Sequence, residues 1–558
     1  MKYIERGRKM RAADVMAQSL MTQGIERMFC VPGESYLSLL DALHDVDVDV
    51  VACRHEGGAA FMAVADAKLT GRPGVVAVSR GPGATNASIG LHLAQQDAVP
   101  LIAIIGQVSR EERGRHSFQE VDYQAMFGGI AKFVWEVSDA SQLSEVVARA
   151  YHESCSGVPG PVVISLLEDM LADDVPADIW PALPIATPGL SSAHVEHVYA
   201  LLAKAERPLI MAGGALDTPE GRQHLESLAR NHNIPVALTF RHQEIFDNTL
   251  PQFAGHLGFK IPKPHVDLLR EHDLLIAIGT RLSDTPTQGF QLPTAPNPQS
   301  PLVHVYADAA PIGRVFATEV PIVADPADFC LALAEKASTD MSARSQWVDK
   351  ISEFMTGVKN YQIRNFDDGL DFGAVVLELA RQAPAESIIS EDAGNFSSWV
   401  HRIWPFNGRQ KMIGAVGGAM GLGVPGAVAA ALRYPDTMVF AMAGDGGLMM
   451  TGNELATAVA NGANIKIVVS NNGSYGTIRL HQERDYPRRI AATKLVNPDF
   501  SAWAQSFGAS GVVVHSGDDI AAKVSEFLSA PGCALLDVRS SVEAISAFTT
   551  VEALRGGR

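Results

Sequence analysis

Ala443-Gly444-Asp445-Gly446-Gly447, followed 27 positions after Asp445 by Asn472 in Ser470-Asn471-Asn472-Gly473, is the stretch on which the fold turns. Residues 437–443 (TMVFAMA) are apolar and partly β-branched, as in a buried strand. Thr451-Gly452-Asn453-Glu454 has the capping-box pattern and is expected to open a helix running to about Asn461. Residues 465–469 (IKIVV) form a second buried strand. A strand–helix–strand unit makes its strands parallel, so both carboxyl ends lie on one edge of the sheet. Asp445 and Asn472 are therefore expected to meet. A carboxylate oxygen and an amide oxygen are the hard ligands that Mg²⁺ or Ca²⁺ prefers. Glycines beside them let the backbone approach a bulky anion. The pattern suits a metal-bridged diphosphate.

The chain has 558 residues, enough for three or four domains. Apolar residues make up 47% and charged residues 19%, the balance of a well-filled globular protein. A net charge of −17 argues against nucleic acid or an anionic membrane as partner. Five scattered cysteines without metal or redox spacing point to a reducing compartment and a cytoplasmic protein. The basic N-terminus (MKYIERGRKMRAADV) has no apolar stretch behind it and does not read as a signal peptide. Residues 413–432 carry no charge and reach the length of a membrane span. Their six glycines, Pro425 and many alanines instead suggest a buried glycine-rich helix against a cofactor.

Strand and helix patterns alternate in three blocks, so the fold class is α/β with three doubly wound parallel-sheet domains. The first spans residues 1–178, with strands expected at 28–31, 48–53, 74–79, 101–105 and 162–165. A Pro-rich stretch, 174–188, reads as linker. The middle block, 190–335, has strands expected at 208–212, 235–239, 274–279 and 302–306. After a polar stretch around 338–368, the third block, 369–550, carries the metal motif.

A GDG followed by NN at this spacing resembles the thiamine-diphosphate motif, and the whole chain is similar to the acetolactate synthase-like family of thiamine-diphosphate enzymes. The resemblance implies a pyrimidine-binding first domain, a central domain that binds flavin or is vestigial, and a diphosphate- and metal-binding third domain. It adds the main-chain carbonyl of Ser474 to Asp445 and Asn472 as metal ligands, with Gly444, Gly446 and Gly447 against the diphosphate. Glu56, in Arg54-His55-Glu56-Gly57-Gly58, stands where a strand ends and a helix begins. A first-turn glutamate also complements a helix dipole. The resemblance implies that Glu56 hydrogen-bonds N1′ of the aminopyrimidine and promotes loss of the C2 proton.

Gly33, in Pro32-Gly33-Glu34-Ser35, and Gly81 and Gly83, in Ser79-Arg80-Gly81-Pro82-Gly83, are similar to glycine turns of the family that lie against cofactor or substrate. Phe118 and Gln119 match a loop that faces the active site. Gly394, Asn395 and Phe396 match a diphosphate segment. Gly418 and Met420 match the turn whose carbonyl takes the 4′-amino group and whose methionine wedges the cofactor into its bent form. His55, His92 and His116 are acid–base candidates or structural residues. In the middle block the resemblance rests on Gly213-Gly214, on 279–284 and on Asp308, and leaves FAD binding open.

The resemblance has departures. His481 replaces a tryptophan that shapes the second substrate's pocket in acetolactate synthases, and Glu34 replaces a small residue. The substrate is therefore expected to differ from that of an ordinary acetolactate synthase. Arg479 and His481 are candidates for an anionic or hydroxylated substrate, or belong to a solvated loop. The expected activity is 2-oxo acid decarboxylation with carboligation, using thiamine diphosphate and Mg²⁺. The alternatives are a 2-hydroxyacyl-CoA lyase or oxalyl-CoA-type decarboxylase, a flavin-linked oxidase, and a non-catalytic cofactor-binding homologue. Expected substrates are a 2-oxo acid, an aldehyde or an acyl-CoA. The assembly implied is a homodimer at minimum and a homotetramer by resemblance.

Overall fold

The computed structural model describes residues 9–338 and 342–556. Most of the basic N-terminal segment and residues 339–341 of the polar stretch lie outside the described residues. Three six-stranded parallel sheets dominate. In spatial order the first is Asp49–Ala52, Arg27–Cys30, Gly74–Val78, Leu101–Gln107, Pro161–Leu167 and Phe133–Val137. The middle sheet runs Phe253–Leu257, Val236–Thr239, Pro208–Ala212, Leu274–Ile278, Leu302–Tyr306 and Val320–Val323. The third runs Lys411–Gly414, Ile388–Glu391, Val439–Gly444, Ile465–Asn471, Ala534–Arg539 and Ser510–Val514.

In chain order within each sheet, the first and third share the arrangement 2-1-3-4-6-5, while the middle is 3-2-1-4-5-6. The two outer blocks are thus topological copies of each other. In both patterns the strand order reverses beside the first strand of the sheet, and ligands of open α/β sheets bind outside the carboxyl ends at such a point. In the first sheet this lies between Arg27–Cys30 and Gly74–Val78, and in the third between Ile388–Glu391 and Val439–Gly444.

The helices α1 (Glu56–Thr70), α2 (Pro82–Asp97) and α3 (Gly423–Arg433) share one hydrophobic core with both outer sheets. Ala59, Ala60, Ala63, Ala427, Ala430 and Ala431 line it, and small side chains let helix axes approach closely. At Gly90 on α2 a Cβ would stand 2.3 Å from that of Ala60, so this crossing requires glycine.

Two local expectations are corrected. The uncharged segment 413–432 is not one helix: it is a strand end, a turn and then α3, because Gly414, Gly417, Gly418 and Gly421 weaken helix propensity before Gly423. Among the described residues no helix is long and apolar enough to cross a membrane. The capping box is not formed either. Helix α4 (Asp445–Thr451) begins six residues earlier, a 3₁₀ turn Gly452–Glu454 follows, and α5 (Leu455–Ala460) comes next. Thr451 donates instead to the Gly421 carbonyl (2.5 Å), and Glu454 reaches into the first block. Tertiary partners here outbid the local cap.

The Pro-rich stretch begins as a short strand, Asp174–Pro176, antiparallel to Lys9–Arg11. Most of the polar stretch is the helix Ser342–Lys359, whose Trp347, Ile351 and Met355 join the middle core. The edge strands Phe133–Val137 and Phe253–Leu257 were not expected; the first is mostly half-buried and the second is interrupted by Gly255 and His256.

Candidate functional site

Strands Val439–Gly444 and Ile465–Asn471 pair in parallel with Gly444 opposite Ser470, so Asp445 and Asn472 emerge on one edge. Asp445 is buried at the start of α4. Its Oδ1 accepts from Gly446 N (2.9 Å) and its Oδ2 from Gly473 N (2.7 Å) and Asn497 Nδ2 (2.7 Å). The two loops do meet, as the strand reading requires. Burial raises the Asp445 carboxyl above the usual range, and these donors pull it back. Asn472 Oδ1 accepts from Ser474 N (3.0 Å), and buried Ser474 donates to the Thr493 carbonyl (3.0 Å). Among the described residues no three His, Cys, Asp or Glu side chains cluster as metal ligands. One carboxylate with amide and main-chain oxygens fits Mg²⁺, which takes few protein ligands and completes its shell with phosphates and water. The residues present therefore fit a metal-bridged diphosphate.

Two residues here escaped the sequence reading. Asp392, buried, accepts on Oδ1 from Ala393 N (2.7 Å) and Gly421 N (2.7 Å), and burial pushes its carboxyl up to about 6. A Cβ on Gly447 would stand 2.3 Å from its Oδ2. Asp392 thus ties together the 394–396, 418–421 and 444–447 segments. Its only local signal is an acidic pair closing an apolar strand. Asn497 bridges Asp445 and Asn471 Oδ1 (2.9 Å), and it reads in sequence merely as the residue before a proline.

Gly394 and Asn395 follow the strand Ile388–Glu391, and Asn395 donates to the Ile545 carbonyl. Phe396 packs in the core edge-on to Phe372. Gly418 is exposed at φ +71 and Met420 is half-buried beside it.

On the first sheet, Glu56 opens α1 and its Oε2 accepts from Asn86 Nδ2 (2.9 Å). A Cβ on Gly83 would lie 3.5 Å from Glu56 Oε1, and one on Gly81 would lie 2.8 Å from the Gln119 carbonyl. Glu56, both glycines and Gln119 therefore share one crest. Phe118 beside them is 76% exposed. Gly33 packs against Ser79, where an added Cβ would be 2.6 Å from that of Ser79. Glu34, one of the departures, faces Arg80 as an ion pair (3.4 Å). His55 Nδ1 accepts from Gly57 N (3.0 Å) and caps α1, so its role is structural. His92 and His116 are exposed.

Within one chain the two crests are apart. Gly417 N donates to Asp97 Oδ1 (2.8 Å) at the carboxyl end of α2. Gly83, which faces Glu56, is at the other end, about 21 Å away at 1.5 Å per residue.

Beyond the Asn472–Ser474 loop lies helix α6 (Gly476–Asp485). Arg479 is spent on Glu483 (2.9 Å), which also takes Arg555 of α7 (Val551–Gly556) at 2.6 Å. His481 is exposed. Partial burial and the charges of Arg484 and Lys260 lower its imidazole below the usual value. The Arg555 ion pair, with help from Arg488 N and Arg479, holds the Glu483 carboxyl at about 2. A carboxyl lowered on folding stabilises fully above its unfolded value of about 4.5 and loses that contribution as pH falls toward 2. Proteolysis of α7 is expected to rise over that window in the wild type. In Glu483→Gln it should already be fast at pH 7; equal rates at pH 7 would refute the anchor.

In the middle domain His242 packs on the Gly213-Gly214 turn: a Cβ on Gly214 would be 2.4 Å from its ring. Arg281 donates to the Gln95 and Gln96 carbonyls, and Asp308 accepts from Val158 N (3.2 Å).

Comparison with known proteins agrees with this layout. Residues 10–126 match the family described as "Thiamine pyrophosphate enzyme, N-terminal TPP binding domain", 195–333 its central domain, and 392–538 its C-terminal TPP binding domain. The chain is 32% identical over 546 residues to an acetolactate synthase large subunit of Parasynechococcus marenigrum, covering 94% of this chain and 87% of that protein. It is 29% identical over 531 residues to acetolactate synthase isozyme 2 large subunit of Escherichia coli, covering 95% of each. Against the acetolactate synthase large subunit of Corynebacterium glutamicum the figure is 30% over 533 residues, covering 92% of this chain and 84% of that one.

Proposed function

The chain belongs to the thiamine pyrophosphate enzyme family, and from that premise we propose a carboligase/decarboxylase acting on a 2-oxo acid, with Mg²⁺ bridging the cofactor. The observation that carries this reading is the meeting of Asp445 with the Asn472–Ser474 loop at adjacent strand ends. Thiamine diphosphate supplies, when bound, a thiazolium ring whose carbon adds to a carbonyl and whose positive charge takes up the electron pair released as CO₂ leaves. Asp445, Asn472 and the Ser474 carbonyl would hold the metal. Gly444, Gly446, Gly447, Gly394 and Asn395 would admit the diphosphate. Gly33, Gly81 and Gly83 would let the first crest close on the ring. Glu56 would hold and return the proton at its carboxyl, with Asn86 fixing one oxygen. Gly418 and Met420 would orient the ring, and Gln119 and Phe118 would face the substrate.

With Arg479 tied to Glu483, His481 and Lys260 are the groups offered to the acceptor. By the resemblance His481 stands where acetolactate synthases carry a tryptophan, which supports an acceptor more polar than a second pyruvate. A panel of 2-oxo acids and aldehydes assayed by mass detection tests this. Pyruvate self-condensation as the fastest reaction would count against the altered acceptor.

We further propose that the site is shared by two chains. The separation of Gly417 from Gly83 along α2 supports this, as does the exposure of Ile89, Met449 and Met450. Mixing inactive Glu56→Gln chains with inactive Asp445→Ala chains should restore about a quarter of wild-type turnover. Half of random dimers are hybrids, and each hybrid has one intact site of two. No recovery, with subunit exchange verified by mass spectrometry, would refute the sharing.

A further inference from the structure

Glu454 belongs to the third block, yet its carboxylate is fully buried against the first. Oε1 accepts from Arg54 N (3.1 Å) and His55 N (3.0 Å). Oε2 accepts from Arg54 N (3.2 Å) and from the Thr457 hydroxyl (2.5 Å). These N–H groups belong to the turn joining Asp49–Ala52 to α1, and the next residue is Glu56. A Cβ on Gly58 would stand 2.3 Å from Oε1, so Gly58 is glycine to admit this carboxylate. His55, whose backbone Glu454 holds, is also the residue that caps α1. Charge-assisted bonds from backbone N–H groups near a helix start are strong and directional.

We propose that Glu454 is a positioning residue that aims Glu56 through the Arg54–His55 turn. The inference rests on the role given to Glu56 above. Glu454 stands between two functions: nine positions before it, Asp445 holds one cofactor, and the turn it grips presents Glu56 to another. A chain's diphosphate-holding half thereby sets the geometry of its own proton-handling carboxylate.

The test uses full-length Glu454→Gln with Mg²⁺ and thiamine diphosphate. The amide keeps the volume but loses the charge and turns a donor toward the backbone N–H groups. Hydrogen–deuterium exchange at C2 of saturating cofactor should fall about tenfold or more, as sub-ångström misplacement costs. Cofactor affinity should change less than about twofold, because Glu454 lies outside the proposed metal ligands. Wild-type exchange, or a fall matched by equal loss of affinity, would overturn the proposal. Should Glu454→Gln fail to fold, Thr457→Val removes one of the bonds that orient Oε2 and should slow exchange by a smaller factor, with affinity kept. Glu56→Gln is run in parallel. Slow exchange there with normal exchange in Glu454→Gln defeats the positioning role alone, while normal exchange in Glu56→Gln defeats the functional reading itself.

Discussion

Glu56→Gln is expected to bring C2 exchange on bound thiamine diphosphate down to the rate of free cofactor and to cut turnover by about 10²–10⁴-fold, the usual worth of a positioned acid–base group. The amide matches the carboxyl in shape. It can keep the contact to Asn86 Nδ2 through its oxygen, so the fold should be retained. What it cannot do is take and return a proton. Glu56 is half-buried on a crest with Gly81, Gly83 and Gln119, and none of the metal-site contacts involves it. Cofactor affinity should therefore stay close to wild type. An exchange rate that does not change would remove Glu56 from the reaction and with it the acid–base half of the proposed mechanism.

Asp445→Ala is expected to weaken Mg²⁺-dependent cofactor binding by more than about 100-fold, since even outer partners of metal ligands cost 10–100-fold when lost. The reason is partly local. The carboxylate is buried and receives three donors, from Gly446, Gly473 and Asn497. Its removal leaves those donors unpaired in a buried site and separates the two loops that would hold the metal. Titration calorimetry with and without Mg²⁺ measures the effect. Equal affinity in the two proteins would refute the ligand assignment. With Glu56→Gln, the pair separates holding the cofactor from activating it.

Much of this was legible along the chain. The spacing of Asp445 and Asn472 implied neighbouring strand ends, because a parallel strand–helix–strand unit has only one way to bring its carboxyl ends together. Glu56 was legible as a helix-opening residue after an apolar strand. The capping box was misread because Thr451 and Glu454 found distant partners, the Gly421 carbonyl and the Arg54–His55 backbone. Asp392 and Asn497 were missed for the same reason. Each acts through groups far off in sequence or on loops, and carries no periodic or capping signature of its own. Along the chain Arg479 could serve substrate or belong to a solvated loop; instead it pairs with Glu483, one helical turn on, which Arg555 also holds.

By itself, the sequence determined the alternation of buried strands and helices, and with it the class of fold and the edge on which Asp445 and Glu56 stand. Those follow from local periodicity and from the handedness of parallel crossovers. Tertiary structure alone decided which loops share a carboxylate at Asp392 and which helix end Glu454 grips. It also decided that His242 packs on the Gly214 turn and that Glu56 and Gly417 lie at opposite ends of α2. These depend on contacts between segments tens to hundreds of residues apart. The burial that makes such contacts strong exists only once the three sheets have packed.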